Sequence, residues 1–284
     1  MIKVENLSFG YPGRPLLLED LCLTLEQGHI YGLLGRNGAG KSTLLKNLVG
    51  LAFPRAGQCL LNGQSTAKRL PSMLEKVYFL PEEVYVPALS GGQFVARTAS
   101  FYPQFDGASF QRYLHEFDVP LHAVLSQLSF GQQKKFMIAF GLATNTNLLV
   151  LDEPTNGLDI PSKAQFRRLI ASTLTPERCV IISTHQVRDL DNLIDTVVVL
   201  HQQRIVLNED LEQLAEHLTF ATVSPAHAHE ALYAEDSMRG QQAILPNLTG
   251  RPSKIDLELL FNAITAPNQA LTSYLNQPSY VQSV

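Results

Sequence analysis

Residues 35–42 read Gly-Arg-Asn-Gly-Ala-Gly-Lys-Ser, and this segment restricts the chain more than any other. Gly35, Gly38 and Gly40 let a backbone wrap tightly around a bound group, and a lysine follows them at once. The preceding residues, His29-Ile30-Tyr31-Gly32-Leu33-Leu34, form an apolar, strand-like run. The following stretch, Lys41 to Gly50, carries Leu44, Leu45 and Leu48 at the spacing of a helix with one buried face. A strand, a glycine turn and a helix in this order aim backbone N–H groups and the positive helix end at one point. That is the chemistry that holds the phosphates of a nucleoside triphosphate. In such a loop Lys41 reaches the β- and γ-phosphates, and the Ser42 hydroxyl ligates Mg²⁺.

A phosphate loop needs a carboxylate on the Mg²⁺ side from another strand. Leu148-Leu149-Val150-Leu151 is apolar and ends in Asp152-Glu153-Pro154. Parallel α/β sheets place their ligands at the carboxyl ends of strands. Asp152 suits the Mg²⁺ shell, and Glu153 suits a general base that polarises an attacking water. A second apolar run, Cys179-Val180-Ile181-Ile182, ends in Ser183-Thr184-His185, which brings a histidine to the end of a neighbouring strand within reach of the γ-phosphate.

The chain has 284 residues, of which 45% are hydrophobic and 17% charged, enough to bury a large core. Its formal charge of −4 argues against a general polyanion binder, so nucleic acid is not an expected partner. Cys22, Cys59 and Cys179 are odd in number, far apart and set in strand-like runs. They read as reduced core residues of a cytosolic protein. The first residues contain no signal-peptide core, and no apolar run reaches the length of a membrane span.

Taken in order from Ile2 to Leu211, these residues resemble the ATP-binding cassette (ABC) ATPases. Tyr11 sits where that family stacks an aromatic ring on adenine. Gly35, Arg36, Asn37, Gly38, Ala39, Gly40, Lys41, Ser42 and Thr43 match its Walker A loop, and Leu128-Ser129-Phe130-Gly131-Gln132-Gln133 its signature. Leu148–Glu153 match Walker B, Asn156-Gly157-Leu158-Asp159 the D-loop, and His185 the switch histidine. The resemblance implies a P-loop NTPase (RecA-like) fold with a mostly parallel central sheet, an antiparallel N-terminal β subdomain and an inserted helical subdomain. It also implies that ATP and Mg²⁺ are bound between the P-loop of one cassette and Ser129, Gly131, Gln132 and Asp159 of another. The active form is then a homodimer or a paired cassette.

Leu89-Ser90-Gly91-Gly92-Gln93 is letter for letter the family's signature, yet it lies far upstream, just after the segment resembling the Q-loop. Its expected task is to start the first helix of the helical subdomain, with Ser90 as N-cap. The signature at Leu128–Gln133 opens the helical run Lys134–Ala143, with Phe136, Ile138, Ala139 and Phe140 available for packing. It carries Phe130 where the family usually has glycine. A second departure is Glu82. Val77-Tyr78-Phe79-Leu80-Pro81-Glu82 fits the Q-loop pattern with glutamate in place of glutamine, which keeps an oxygen for Mg²⁺ but adds negative charge beside the γ-phosphate.

Strand and helix patterns alternate, so an α/β fold with a central sheet is expected. Strands are expected at Ile2–Leu7, Leu21–Glu26, Ile30–Leu34, Gln58–Asn62, Val77–Leu80, Leu148–Leu151, Val180–Ser183, Val197–Leu200 and Arg204–Leu207. Residues 83–127 form the helical insert of a cassette covering 1–212. Residues 213–284 read as a small α/β appendage with a loose tail. Its amphipathic helix, Ile255–Ile264, is expected to be capped near Pro252-Ser253. His227 and His229 read as unliganded surface residues rather than a metal pair. The resemblance implies the ATPase subunit of a transporter, peripheral on the cytoplasmic face of the membrane through a separately encoded permease of the export type. A soluble, non-transport ABC ATPase of the Fe–S assembly or regulatory type is the rival reading.

Overall fold

The computed structural model describes residues 1–224, 229–238, 240–248, 250–268 and 270–276. In chain order the cassette contains β1 (Ile2–Phe9), β2 (Leu18–Leu25), β3 (Ile30–Leu34), α1 (Lys41–Leu48), β4 (Ala56–Leu61), β5 (Gln64–Ser65), α2 (Pro71–Leu74) and β6 (Val77–Leu80). Then come α3 (Gly91–Thr98), α4 (Gly107–Glu116), α5 (Phe130–Ala143), β7 (Leu148–Asp152), α6 (Ile160–Ser172), β8 (Cys179–Thr184), β9 (Thr196–His201) and β10 (Arg204–Asp210).

The central sheet has the order β10-β9-β3-β8-β7-β6, and all its pairings are parallel except β9 with β10. A parallel sheet is covered on both faces, so its strands are apolar throughout. Every residue of β3, β7 and β8 is buried. The period-2 alternation divides these strands between two cores. Ile30, Leu34, Leu149, Leu151, Val180 and Ile182 face the core beneath the helical insert. Tyr31, Leu33, Leu148, Val150 and Ile181 face the core shared with α1 and the antiparallel sheet β2-β1-β4-β5.

Strand β2 starts three residues before its expected position, and Cys22 on it is exposed, not in the core. The reason is the alternation: Leu21, Leu23 and Leu25 take the buried face and leave Cys22 on the other. The helical insert is held by an aromatic cluster. Phe94, Tyr102 and Phe110 meet Phe140 edge-on, with ring centroids 5.2, 5.9 and 6.0 Å away.

Beyond β10 follow α7 (Leu211–His217), β11 (Leu218–Val223), β12 (Tyr233–Ser237), β13 (Gly240–Pro246), α8 (Leu257–Thr265) and α9 (Ala270–Leu275). The three strands form an antiparallel sheet of order β11-β13-β12. The N-cap of α8 is Asp256, whose carboxylate accepts the N–H groups of Glu258 and Leu259, rather than the Pro252-Ser253 region. Ser253 instead ties this segment to α7 and β11, donating to the carbonyls of Ala215 and Leu218. Leu218, Ile244, Leu257 and Leu260 belong to the same buried cluster as Leu190 and Ile194 of the cassette. His227 and residues 277–284 lie outside the described residues.

Candidate nucleotide site

The carboxyl ends of four adjacent parallel strands converge on one cleft. The pairing register explains why. Leu34 at the end of β3 lies beside Thr184 of β8, Ser183 beside Asp152 of β7, and Leu151 beside Leu80 of β6. The loops that follow these strands therefore deliver Gly35–Thr43, His185, Glu153 and Glu82 to the same place. Arg36, Asn37, Gly38, Ala39, Gly40, Lys41, Ser42, Thr43, Glu82, Glu153 and His185 line a cleft of about 400 Å³, together with Leu17.

Gly40 is the N-cap of α1 with φ of 106°, a conformation open to glycine and costly for other residues. No side chain caps α1, and no acidic residue occupies its first turn. Its leading N–H groups and positive end therefore face the cleft with no capping side chain of their own. Lys41 is buried, and its ammonium donates to the Gly35 carbonyl at 2.8 Å while lying 3.6 Å from the Glu153 carboxylate. The Tyr11 hydroxyl meets that of Thr43 at 3.2 Å, which sets the aromatic ring beside the loop. Arg55 holds the Tyr11 segment in place by donating to the carbonyls of Gly10, Tyr11 and Arg14.

Glu153 is 3% exposed and has φ of 46°. A left-handed conformation costs a non-glycine residue about 1–3 kcal/mol and persists only where its surroundings enforce it. Here the Glu153 N–H donates to the Ser183 carbonyl and hydroxyl, and its carbonyl accepts from Lys134 Nζ at 2.6 Å. Its Oε1 lies 2.9 Å from His185 Nδ1, whereas its Oε2 is buried without a hydrogen-bond partner among the described residues. An orphaned, buried carboxylate oxygen is what a base awaiting a water or hydroxyl proton presents. Asp152 is buried and accepts the Ser183 hydroxyl. Ser42, Asp152 and Glu82 are all hard oxygen donors, the type that Mg²⁺ takes. Glu82 accepts from the Asn156 amide at 3.2 Å and lines the cleft.

Four further positions were missed on sequence grounds. Ser183 braces Asp152 and Glu153. Lys134 is fully buried among polar partners. Leu17 lines the cleft. Asp189 joins the segment after His185 to the turn after Glu153, accepting from Thr155 at 2.6 Å and from Lys163 at 2.7 Å. Burial pushes the Lys134 ammonium below the usual lysine value, against the pull of the Glu82, Glu153 and Asp152 carboxylates.

Ser129, Gly131, Gln132 and Asp159 do not line this cleft. Ser129 is exposed and caps α5 in a reciprocal pair with Gln132. Asp159 is exposed and caps α6, where the Ser162 side chain, and after it the Ser162 N–H, holds its carboxyl below the usual range. Phe130 and Ile160, 49% and 84% exposed, stand beside these caps. Among the described residues there is no group of three or more histidine, cysteine or acidic residues that could by themselves hold a metal ion, and no helix long and apolar enough to cross a membrane.

Strand-end loops, an uncapped helix behind a glycine loop and a buried carboxylate define a P-loop ATPase. Residues 18–156 match the family described as ABC transporter. The chain is 30% identical to the lantibiotic transport ATP-binding protein SrtF of Streptococcus pyogenes, over 75% of this chain and 95% of that one. It is 27% identical to the ABC transporter ATP-binding protein YtrB of Bacillus subtilis, over 76% of this chain and 74% of that one. The fold matches that of the dimeric ABC transporter cassette MJ0796 with a TM-score of 0.65, at 22% identity over 74% of this chain and 98% of that one. The chain belongs to the ABC transporter ATP-binding family and is an ATP-binding, ATP-hydrolysing ABC ATPase.

Proposed function

We propose that two such cassettes associate head to tail, each closing its Ser129–Gln132 segment over the nucleotide in the other's cleft, and that ATP hydrolysis there drives a separate membrane subunit. The observation that carries the hydrolysis is Glu153. Its buried carboxylate has one oxygen on His185 and the other without a partner among the described residues, beside Lys41 and the phosphate loop. The exposed Ser129, Phe130, Asp159 and Ile160 support the pairing, since these residues lie outside their own chain's cleft. The dimeric cassette with the same fold supports it as well.

In this reading Tyr11 stacks on the adenine, and the loop N–H groups from Gly35 to Thr43 take the phosphates. Lys41 leaves the Gly35 carbonyl for the β- and γ-phosphate oxygens. Glu153 accepts a proton from the water that attacks the γ-phosphate. His185 shares that carboxylate and contacts the transferred phosphoryl group. Ser42, Asp152 and Glu82 would hold Mg²⁺, which when bound neutralises phosphate charge. Peripheral attachment to a membrane through a permease draws support from the resemblance to a protein named for lantibiotic transport, and export is the direction of this reading.

Glu153→Gln tests the reading. The variant is expected to bind ATP, to lose about 10²–10⁴-fold in turnover, and to collect as a dimer with ATP and Mg²⁺. Light scattering together with single-turnover hydrolysis measures both. Turnover near that of the native chain would remove Glu153 from the role.

A further inference from the structure

We infer that Lys134, on the first turns of the signature helix α5, is a positioning residue for the base: its buried ammonium holds the turn that aims the Glu153 carboxylate into the cleft. Nothing of Lys134 reaches solvent, yet among the described residues no carboxylate lies within ion-pair distance of it. Its ammonium donates instead to two backbone carbonyls, Glu153 at 2.6 Å and Asn156 at 3.3 Å. A buried ammonium without a paired anion is retained only where its hydrogen bonds are well made. These two span the turn that follows Walker B.

That turn is under local constraint. Glu153 is left-handed, and the Asn156 N–H donates back to the Glu153 carbonyl at 3.3 Å. Ser183 anchors the amide side of Glu153 through β8, and Lys134 anchors the carbonyl side through α5. With either anchor removed, the residue is free to leave the left-handed region, and the carboxylate swings away from His185 and Lys41.

The same ammonium lies 5.4 Å from the centre of the Phe130 ring, and Phe130 packs directly against Gly157, where an added Cβ would come within 2.7 Å of the ring. Lys134 thus connects three parts of the site: the signature segment, the D-loop and the base. The inference rests on Glu153 acting as the base.

Lys134→Met keeps the length and apolar stem and removes the ammonium. On the full chain, steady-state hydrolysis, equilibrium binding of ATP and thermal unfolding are compared for the native protein, Lys134→Met, Lys134→Arg and Glu153→Gln. Misaiming a reacting group by about an ångström costs about 10²-fold, so kcat of Lys134→Met is expected to fall about 10–10²-fold. ATP affinity should stay within about twofold, because the phosphate loop is untouched. Lys134→Arg, which can still donate to both carbonyls, should recover most of kcat with its ATP affinity unchanged. Should Lys134→Met prove unfolded, Lys134→Gln, too short to span both carbonyls, takes its place with the same expectation. A kcat for Lys134→Met near the native value overturns the inference. So does parallel loss of ATP binding, or failure of Lys134→Arg to recover turnover. If Glu153→Gln itself turns over normally, the reading of Glu153 as base has failed instead.

Discussion

Glu82 brings a full negative charge to a place where glutamine would offer the same oxygen as a neutral amide. It lines the cleft, and its carboxylate accepts a hydrogen bond from the Asn156 amide. An anion a few ångströms from phosphate repels it strongly where water is scarce, and a divalent cation between them reverses the sign. Glu82→Gln is therefore expected to lower the Mg²⁺ concentration required for ATP binding and to strengthen ATP binding when metal is scarce. Mg²⁺ titrations of binding and hydrolysis for the two forms check this, and superimposable curves would leave Glu82 no part in metal handling. Phosphate loop, Asp152, Glu153 and His185 were legible because each sits in a contiguous, spaced motif. Lys134 was not. In Gln-Gln-Lys-Lys it reads as part of a solvated face, and only the packing of α5 against the β7 turn buries it.

Two helices in this chain open with the same chemistry. Ser90 starts α3 and Ser129 starts α5, each accepting the N–H of a glutamine three residues on at 3.3 Å, with the glutamine side chain returning the bond. Their surroundings separate them. A Cβ at Gly91 would come within 2.5 Å of the Leu121 carbonyl and 2.8 Å of the Phe136 ring, so that segment is packed into the helical insert. Ser129 is exposed, and the Phe130 and Gly131 that follow it lie against Gly157 of the D-loop. Ser90→Ala should cost about 0.5–2 kcal/mol of stability through the lost cap and leave ATP-dependent association intact. Ser129→Arg should abolish that association in a folded chain. Thermal unfolding and light scattering with ATP distinguish them, and the reverse ranking would assign the signature to the wrong helix. Helix α8 shows the converse limit of local reading. Its apolar face was clear from sequence, but the helix begins at Leu257, so Asp256 directly before it is the cap, while Ser253 is engaged by Ala215 and Leu218.

At the scale of the molecule, the two-core arrangement sorts the cysteines. Burial pushes the Cys59 and Cys179 thiols up to about 12, while Cys22 is exposed on β2. At neutral pH a thiol reagent should modify Cys22 rapidly in the native chain and reach Cys59 and Cys179 only on unfolding, which mass spectrometry of labelled peptides resolves. Rapid labelling of Cys59 or Cys179 in the native state would contradict the packing described. Stability has a matching alkaline dependence. Unfolded thiols ionise near 9.0, whereas the folded chain keeps these two protonated to about 12. The folded state then binds more protons in that window, so this contribution is complete below pH 9 and lost as pH rises toward 12. Denaturant midpoints taken across that range should fall accordingly.

The sequence by itself determined the nucleotide loop, the strand-end carboxylates, the parallel strands and the Ser90 and Ser129 helix starts, because each depends on residues close together in the chain. The antiparallel strands at Tyr233–Ser237 and Gly240–Pro246 were less legible, since Glu235, Asp236, Gln241 and Gln242 interrupt any apolar alternation. Only the tertiary structure decided which polar groups are buried, that Ser183, Lys134 and Asp189 brace Glu153 and His185, and that residues after Leu211 share the cassette's core. Periodicity and motif spacing are local properties of a chain. Burial of a charge and the bracing of a strained residue arise where distant elements meet.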